Sequence, residues 1–237
     1  MTQEKMMEMM QRQDFKEAMQ ALMQKNHEDQ KQSTLQKYRM LNQYAKKGQT
    51  LFVGSSLMEF FPIHEMQMSL GLDHCIYNRG IGGTTTTDLL ASMDTCIFDL
   101  EPSKMFINIG SNDIGSPEDY AKETFINNYD AIMEQIKRRL PRCDVFVMAY
   151  YPVNAEADFG LDASVKATMF ATRTNANIAE ANIAIEALAK KHGFHFINVN
   201  NGLMDEKGNL KREFSIEGLH MWPNAYAVVL SNLIQYL

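Results

Sequence analysis

From residue 50 onward, short apolar runs alternate with helical patterns, and that alternation constrains the fold more than any other feature of this chain. Strands are expected over residues 50–54, 75–78, 105–109, 145–149 and 194–199, all rich in Val, Ile and Phe. Continuous apolar runs of this kind suit strands buried on both faces, as in a parallel sheet covered by helices. The helices between them have readable ends. Ser116-Pro117-Glu118-Asp119 offers an N-cap, a proline at the first turn and acidic residues near the positive end of the helix dipole. The helix it starts places Phe125, Tyr129, Ile132 and Ile136 on one face and stops near Pro141. A later helix over 174–192 ends in Lys190, Lys191 and His192 before Gly193, and Pro223 opens a last helix carrying Tyr226, Val229 and Leu230. Such repeated strand–helix units predict an α/β protein with a five-stranded parallel sheet and helices on both of its faces.

Residues 1–48 have a different pattern. Phe15, Met19, Leu22 and Met23 recur at helical spacing, as do Leu35, Tyr38, Leu41 and Ala45. Two amphipathic helices are expected, with a break near Asn26-His27, and Lys46-Lys47-Gly48 closes the second before the first strand. The chain thus divides into an N-terminal helical extension over 1–48 and a catalytic domain over 49–237. The many methionines either pack on the main body or form an adaptable contact surface, in which case a homodimer is the expectation. Residues 151–162 are long for a connection in such a fold and follow a strand, which makes them the expected loop over a site.

Composition removes several classes of function. The 237 residues are long for one domain and short for two, and 45% hydrophobic content supports one substantial core. A net charge of −6 gives no general attraction to nucleic acid phosphates or anionic lipid. No run of about 18 apolar residues is present to span a membrane. The segment from Met1 to Met10 is interrupted by Glu4, Lys5 and Glu8, unlike a secretory signal. Cys75, Cys96 and Cys143 are odd in number and lack metal-ligand spacing. Buried free thiols in a reducing compartment are the expectation, and with them a cytoplasmic location.

In an open parallel sheet, ligands gather at the carboxyl ends of the strands. Ser56, Gly83 and Asn112 each fall just after the apolar core of the first, second and third expected strands. Taken singly, each has an ordinary structural role: a helix cap, a turn glycine, an Asn-Asp turn. Together they supply what acyl transfer needs. Ser56 is an attacking oxygen whose backbone N–H, at a helix start, also serves as an oxyanion donor. Gly83 lets a carbonyl oxygen approach the backbone N–H, and the Asn112 side chain is a third donor. His220, in Glu217-Gly218-Leu219-His220-Met221-Trp222-Pro223, has a carboxylate three positions earlier that can accept its Nδ1–H and leave Nε2 for the serine proton. His192 and His195 flank the turn at Gly193 and point in different directions, which disfavours a metal role. Gly80-Ile81-Gly82-Gly83-Thr84-Thr85 lacks the third glycine of the dinucleotide fingerprint, and no Gly-x-Ser-x-Gly elbow occurs. Met221, Trp222 and the loop with Phe159 could line an acyl pocket, although core packing accounts for such residues equally well.

The four blocks around Ser56, Gly83, Asn112 and His220 resemble the SGNH (GDSL-type) hydrolases, from about Leu51 to the C-terminus and in family order. The resemblance implies a flavodoxin-like three-layer α/β/α sandwich with its site at the carboxyl edge of the sheet. It implies a carboxylic ester hydrolase, platelet-activating-factor acetylhydrolase-like, with Ser56 as nucleophile, His220 as base and the Ser56 N–H, Gly83 and Asn112 as oxyanion hole. A small-molecule acyl ester is the implied partner, without metal or organic cofactor. Two departures stand out: Gly54-Ser55-Ser56 replaces the usual Gly-Asp-Ser, and Glu217 replaces the aspartate of Asp-x-x-His. The expected activity is a serine esterase with a Ser-His-Glu triad and a covalent acyl-enzyme. An acyltransferase acting on a sugar or alcohol, or a catalytically weak binding module, are the alternatives.

Overall fold

The computed structural model describes residues 12–116 and 122–237. A five-stranded, fully parallel sheet forms its centre, in the order β2-β1-β3-β4-β5. The strands are β1 (Thr50–Gly54), β2 (Ile76–Gly80), β3 (Lys104–Asn108), β4 (Asp144–Met148) and β5 (His195–Ile197). Each expected strand is present, with β2 running two residues further and β5 ending two residues sooner than the apolar runs suggest. Strands β1, β3 and β4 are buried over most of their length, which is why the sequence shows continuous apolar runs there in place of alternation.

The sheet core is cross-strand aromatic. Phe52 is in register with Phe106, and Phe106 with Phe146. Their ring centroids lie 4.9 and 5.0 Å apart. Each such contact adds about 0.5–1.5 kcal/mol beyond the area it buries.

Helices cover both faces. On one face α4 (Thr86–Cys96), α6 (Lys122–Arg139) and α8 (Asn175–His192) lie side by side. On the other, the short α2 (Ser56–Glu59) and α3 (Ile63–Ser69) follow β1, and α9 (Pro223–Leu233) joins them. Tyr226 of α9 stacks on Phe61 at 4.9 Å and donates to the Leu57 carbonyl at 2.8 Å. Two further short helices, α5 (Ser111–Ile114) and α7 (Ala163–Met169), complete the layers. The helix ends follow the sequence where they are described: Thr174 caps α8, Gly193 ends it in the left-handed region, and Pro223 opens α9. The cap expected at Ser116-Pro117-Glu118-Asp119 falls mainly on residues 117–121, and the Met1–Met10 segment on residues 1–11. Both lie outside the described residues.

Two expectations need correction. The N-terminal segment is one helix, α1 (Gln13–Asn42), with no break at Asn26-His27. Asn and His are only mediocre helix formers, and the Gln, Lys, Glu and Leu residues around them carry the helix through. The thiols also differ, since Cys96 is buried but Cys75 is exposed. The second half of α1 is tied down by a buried polar network. Tyr38 donates to the Gly80 carbonyl at 2.7 Å, and Asn42 Nδ2 to the Thr95 carbonyl at 2.8 Å. Asn42 Oδ1 accepts from Arg79 Nε at 3.1 Å and Nη2 at 3.0 Å, while the guanidinium covers the Tyr38 ring at 4.7 Å. No helix among the described residues is long and apolar enough to cross a membrane.

Candidate active site

Strand register brings the candidate residues to one edge. Gly54, the last residue of β1, is aligned with Gly80 on β2 and with Asn108 on β3. Ser56 lies two residues beyond that line, Gly83 three and Asn112 four, so all three leave the sheet at its carboxyl edge. The strand order reverses between β1 and its neighbours β2 and β3, which is where such sheets form a crevice. A cavity of about 640 Å³ opens there, and Ser56, Gly83, Asn112 and His220 all line it.

Ser56 begins α2, and its side chain turns to His220, with Oγ 2.9 Å from Nε2. The other ring nitrogen, Nδ1, lies 2.5 Å from Glu217 Oε1. Glu217 Oε1 also accepts the His220 backbone N–H at 3.1 Å, so one carboxylate oxygen fixes both the ring and the main chain that carries it. Burial pushes the Glu217 carboxyl up, but its hydrogen bonds and charge interaction with His220 outweigh this and hold it below the usual carboxylate range. The extra methylene of glutamate therefore does not prevent the contact. A hydroxyl, an imidazole and an ionised carboxylate in line can draw a proton from a serine.

The turn that carries His220 is built for rigidity. Gly218 N–H donates to Ser215 Oγ at 2.6 Å, and Ser215 Oγ donates to the His220 carbonyl at 3.1 Å. Gly218 adopts φ +101°, and a Cβ there would fall 2.4 Å from the Asn154 carbonyl oxygen. Only glycine fits both demands. Phe60 packs on the outer face of the His220 ring, with centroids 5.3 Å apart.

Ser55 answers the question of register in the Ser-Ser pair. It is 1% exposed, and its Oγ has no hydrogen-bond partner among the described residues. The site therefore faces Ser56. Opposite stands the Asn112 carboxamide, held at both ends. Its Nδ2 donates to the Thr84 carbonyl at 3.0 Å, and its Oδ1 accepts from Arg173 Nη2 at 3.3 Å. One Nδ2 hydrogen remains for another acceptor. Gly83 has φ +69° and makes no backbone hydrogen bond to a described residue. Ser56, Gly83 and Asn112 all line the cavity into which the hydroxyl opens.

Arg173 carries no local sequence signal, standing alone before the α8 cap and 61 residues from Asn112. It is 7% exposed and gives its other donors to the Ser111 carbonyl at 3.1 Å and the Met169 carbonyl at 3.3 Å. Burial lowers its pKa from the ordinary value, and the charge of Glu217 acts in the opposite direction.

Other sequence candidates stand elsewhere. Met221 is 2% exposed and belongs to the core, while Trp222 lines a separate depression beside Asp158 and Phe159. Neither lines the cavity at Ser56. Nor do residues 151–162 cover it. Asn154 donates into the body of the protein, its N–H to the Gly218 carbonyl at 2.8 Å and its Nδ2 to the Leu210 carbonyl at 2.7 Å. That loop braces the histidine turn. His192 and His195 meet different carboxylates, Asp130 at 2.6 Å and Asp144 at 3.0 Å. The far wall of the cavity comes from α1, where a Cβ on Gly83 would fall 1.8 Å from His27 Nε2.

A parallel sheet of order β2-β1-β3-β4-β5 thus carries a serine, a histidine and an asparagine in one cavity at its carboxyl edge. The chain belongs to the GDSL-like lipase/acylhydrolase family, whose profile matches residues 64–228, and is a carboxylic ester hydrolase. Among solved structures it is similar to a protein from Streptococcus pneumoniae provisionally assigned as a platelet activating factor. The two share 29% identity at a TM-score of 0.80, over 92% of this chain and 98% of that one. A provisionally assigned acylhydrolase from Bacteroides fragilis is 24% identical at a TM-score of 0.67, over 85% of this chain and 93% of that one. A GDSL-like lipase from Bacteroides thetaiotaomicron is 20% identical at a TM-score of 0.68, over 85% and 96%. No curated protein is similar enough to this chain to count as a match.

Proposed function

We propose that the protein is a serine esterase that works through a Ser56-His220-Glu217 triad and a covalent acyl-enzyme. The observation that carries this reading is the unbroken chain from Ser56 Oγ to His220 Nε2 and from Nδ1 to Glu217 Oε1. Ser56 Oγ attacks the ester carbonyl carbon while His220 Nε2 takes the hydroxyl proton. The carbonyl oxygen becomes an oxyanion and is held by the N–H groups of Ser56 and Gly83 and by Asn112 Nδ2. Collapse of this intermediate breaks the carbon–oxygen bond to the alcohol, which leaves with the proton from His220. Water, deprotonated by His220, then attacks the acyl-serine, and the carboxylic acid departs as Ser56 recovers its proton.

Glu217 stays ionised throughout and stabilises the imidazolium that forms at each step. Arg173 keeps Asn112 from rotating its oxygen toward the oxyanion. Hydrolysis of 4-nitrophenyl acetate by the wild type and by Ser56→Ala tests the reading. Loss of nearly all turnover in Ser56→Ala is expected, and equal rates in the two proteins would defeat it.

A further inference from the structure

Helix α1 lies outside the residues matched by the family profile, yet it forms one wall of the cavity at Ser56. His27, Gln30, Lys31 and Thr34 all line that cavity, and their spacing of three, four and seven residues places them on a single helical stripe. Further along, the same face of the helix buries Leu35, Tyr38 and Asn42 against the body. The inward face thus changes chemistry where it passes the nucleophile: the packing residues stop and hydrogen-bonding residues begin.

Three of those side chains are uncommitted. The His27 imidazole, the Gln30 amide and the Thr34 hydroxyl make no hydrogen bond to any described residue. Lys31 differs, since its ammonium lies 3.1 Å from Asp88 and 3.4 Å from Glu28, so its charge is balanced. The wall therefore offers uncommitted donors and acceptors, and its one lysine is already paired. A stripe of this kind would be a poor surface for an aliphatic chain, because polar groups must give up water without replacement bonds. Near the nucleophile the apolar lining is limited to Phe60, Ile81 and Leu219, which suits a short acyl group.

We propose that α1 is the substrate-selecting wall of this esterase, and that His27, Gln30 and Thr34 hydrogen-bond the alcohol part of a short-acyl ester of a sugar or other polyhydroxylated alcohol. This rests on the reading of Ser56 as nucleophile and adds what it acts upon. Each side chain contributes through ordinary hydrogen bonds, and hydroxyl groups on the substrate replace the water they displace. His27, which stands directly against Gly83, is the contact nearest the oxyanion donors.

The test compares methyl 6-O-acetyl-glucopyranoside with 4-nitrophenyl acetate and 4-nitrophenyl octanoate on the full chain. Wild type, His27→Ala, Gln30→Ala and Thr34→Val are assayed, with melting curves to confirm the helix. In each variant the ratio of kcat/KM for the acetylated glucoside to that for 4-nitrophenyl acetate is expected to fall about three- to tenfold, mainly through KM. His27→Leu is expected to move preference toward the octanoate. Ratios unchanged within about twofold in all three polar variants, or a wild type that prefers 4-nitrophenyl octanoate to 4-nitrophenyl acetate, would overturn the inference. If 4-nitrophenyl acetate hydrolysis depends on Ser56 and only the ratios stay fixed, the esterase reading survives and this one does not. A wild type that hydrolyses none of the three esters overturns both.

Discussion

Arg173 offers the sharpest test of how the oxyanion site is held, because it lines the cavity and its one side-chain acceptor there is Asn112 Oδ1. Replacing it by methionine removes the donor to Asn112 Oδ1, together with those to the Ser111 and Met169 carbonyls, but leaves the Asn112 Nδ2 bond to Thr84 in place. The carboxamide is then anchored at one end. Losing a whole oxyanion donor costs on the order of 3 kcal/mol in the transition state, which sets the ceiling and the expected effect of Asn112→Ala. A hydrogen bond from a charged donor is worth about 1.5–3 kcal/mol. Arg173→Met is thus expected to lower kcat on 4-nitrophenyl acetate by about 10- to 100-fold, with little change in KM. The two residues act on the same oxygen in sequence, so Arg173→Met with Asn112→Ala should be hardly slower than Asn112→Ala alone. Arg173→Lys keeps the charge but cannot span three acceptors, and should recover only part of the rate. Losses that multiply in the double variant, at unchanged melting temperature, would refute the argument that Arg173 acts through Asn112.

Glu217→Gln should lower kcat by about 10²–10⁴, since a neutral amide no longer stabilises the imidazolium or fixes its tautomer. The same change has a stability signature. Folding holds the Glu217 carboxyl below its unfolded value, so its contribution is present above about pH 4.3 and is lost as pH falls through the folded value. Urea unfolding at pH 7 and pH 3.5 should therefore show a larger acid loss in wild type than in Glu217→Gln, and equal losses would count against the assignment. Gly218→Ala forces a side chain into the left-handed region and against the Asn154 carbonyl. A cost of about 1–3 kcal/mol and a melting temperature lower by roughly 2–12 °C are expected, together with at least about tenfold loss of kcat from the displaced histidine; a wild-type rate would show that the turn tolerates rearrangement.

The features legible in the sequence are those fixed by short-range chemistry. The β1 run and the Gly-Ser turn after it place Ser56 at the sheet edge, and Pro223 and Gly193 mark helix ends by their own backbone limits. The spacing of Glu217 and His220 is local as well, since one turn of chain brings the carboxylate to the ring. Arg173 was not legible because its partners, Asn112 and Ser111, reach it only after the sheet has formed. Helix α1 illustrates the same limit. Its periodic apolar residues mark a helix, but the approach of His27 to Gly83 depends on docking through Tyr38, Asn42 and Arg79. Trp222 and the loop at 151–162 suggest site residues by their size and position, yet Trp222 lines a separate depression with Asp158 and Phe159, and the loop bonds to the turn at Gly218.

The central claim is that one hydroxyl, on Ser56, is activated by His220. Treatment with a fluorophosphonate, followed by intact-mass and peptide mass spectrometry, tests this most directly because the probe requires no knowledge of the natural ester. A single adduct on Ser56 is expected, lost in Ser56→Ala and greatly slowed in His220→Ala. An adduct on Ser55, or equal labelling with and without His220, would contradict the account.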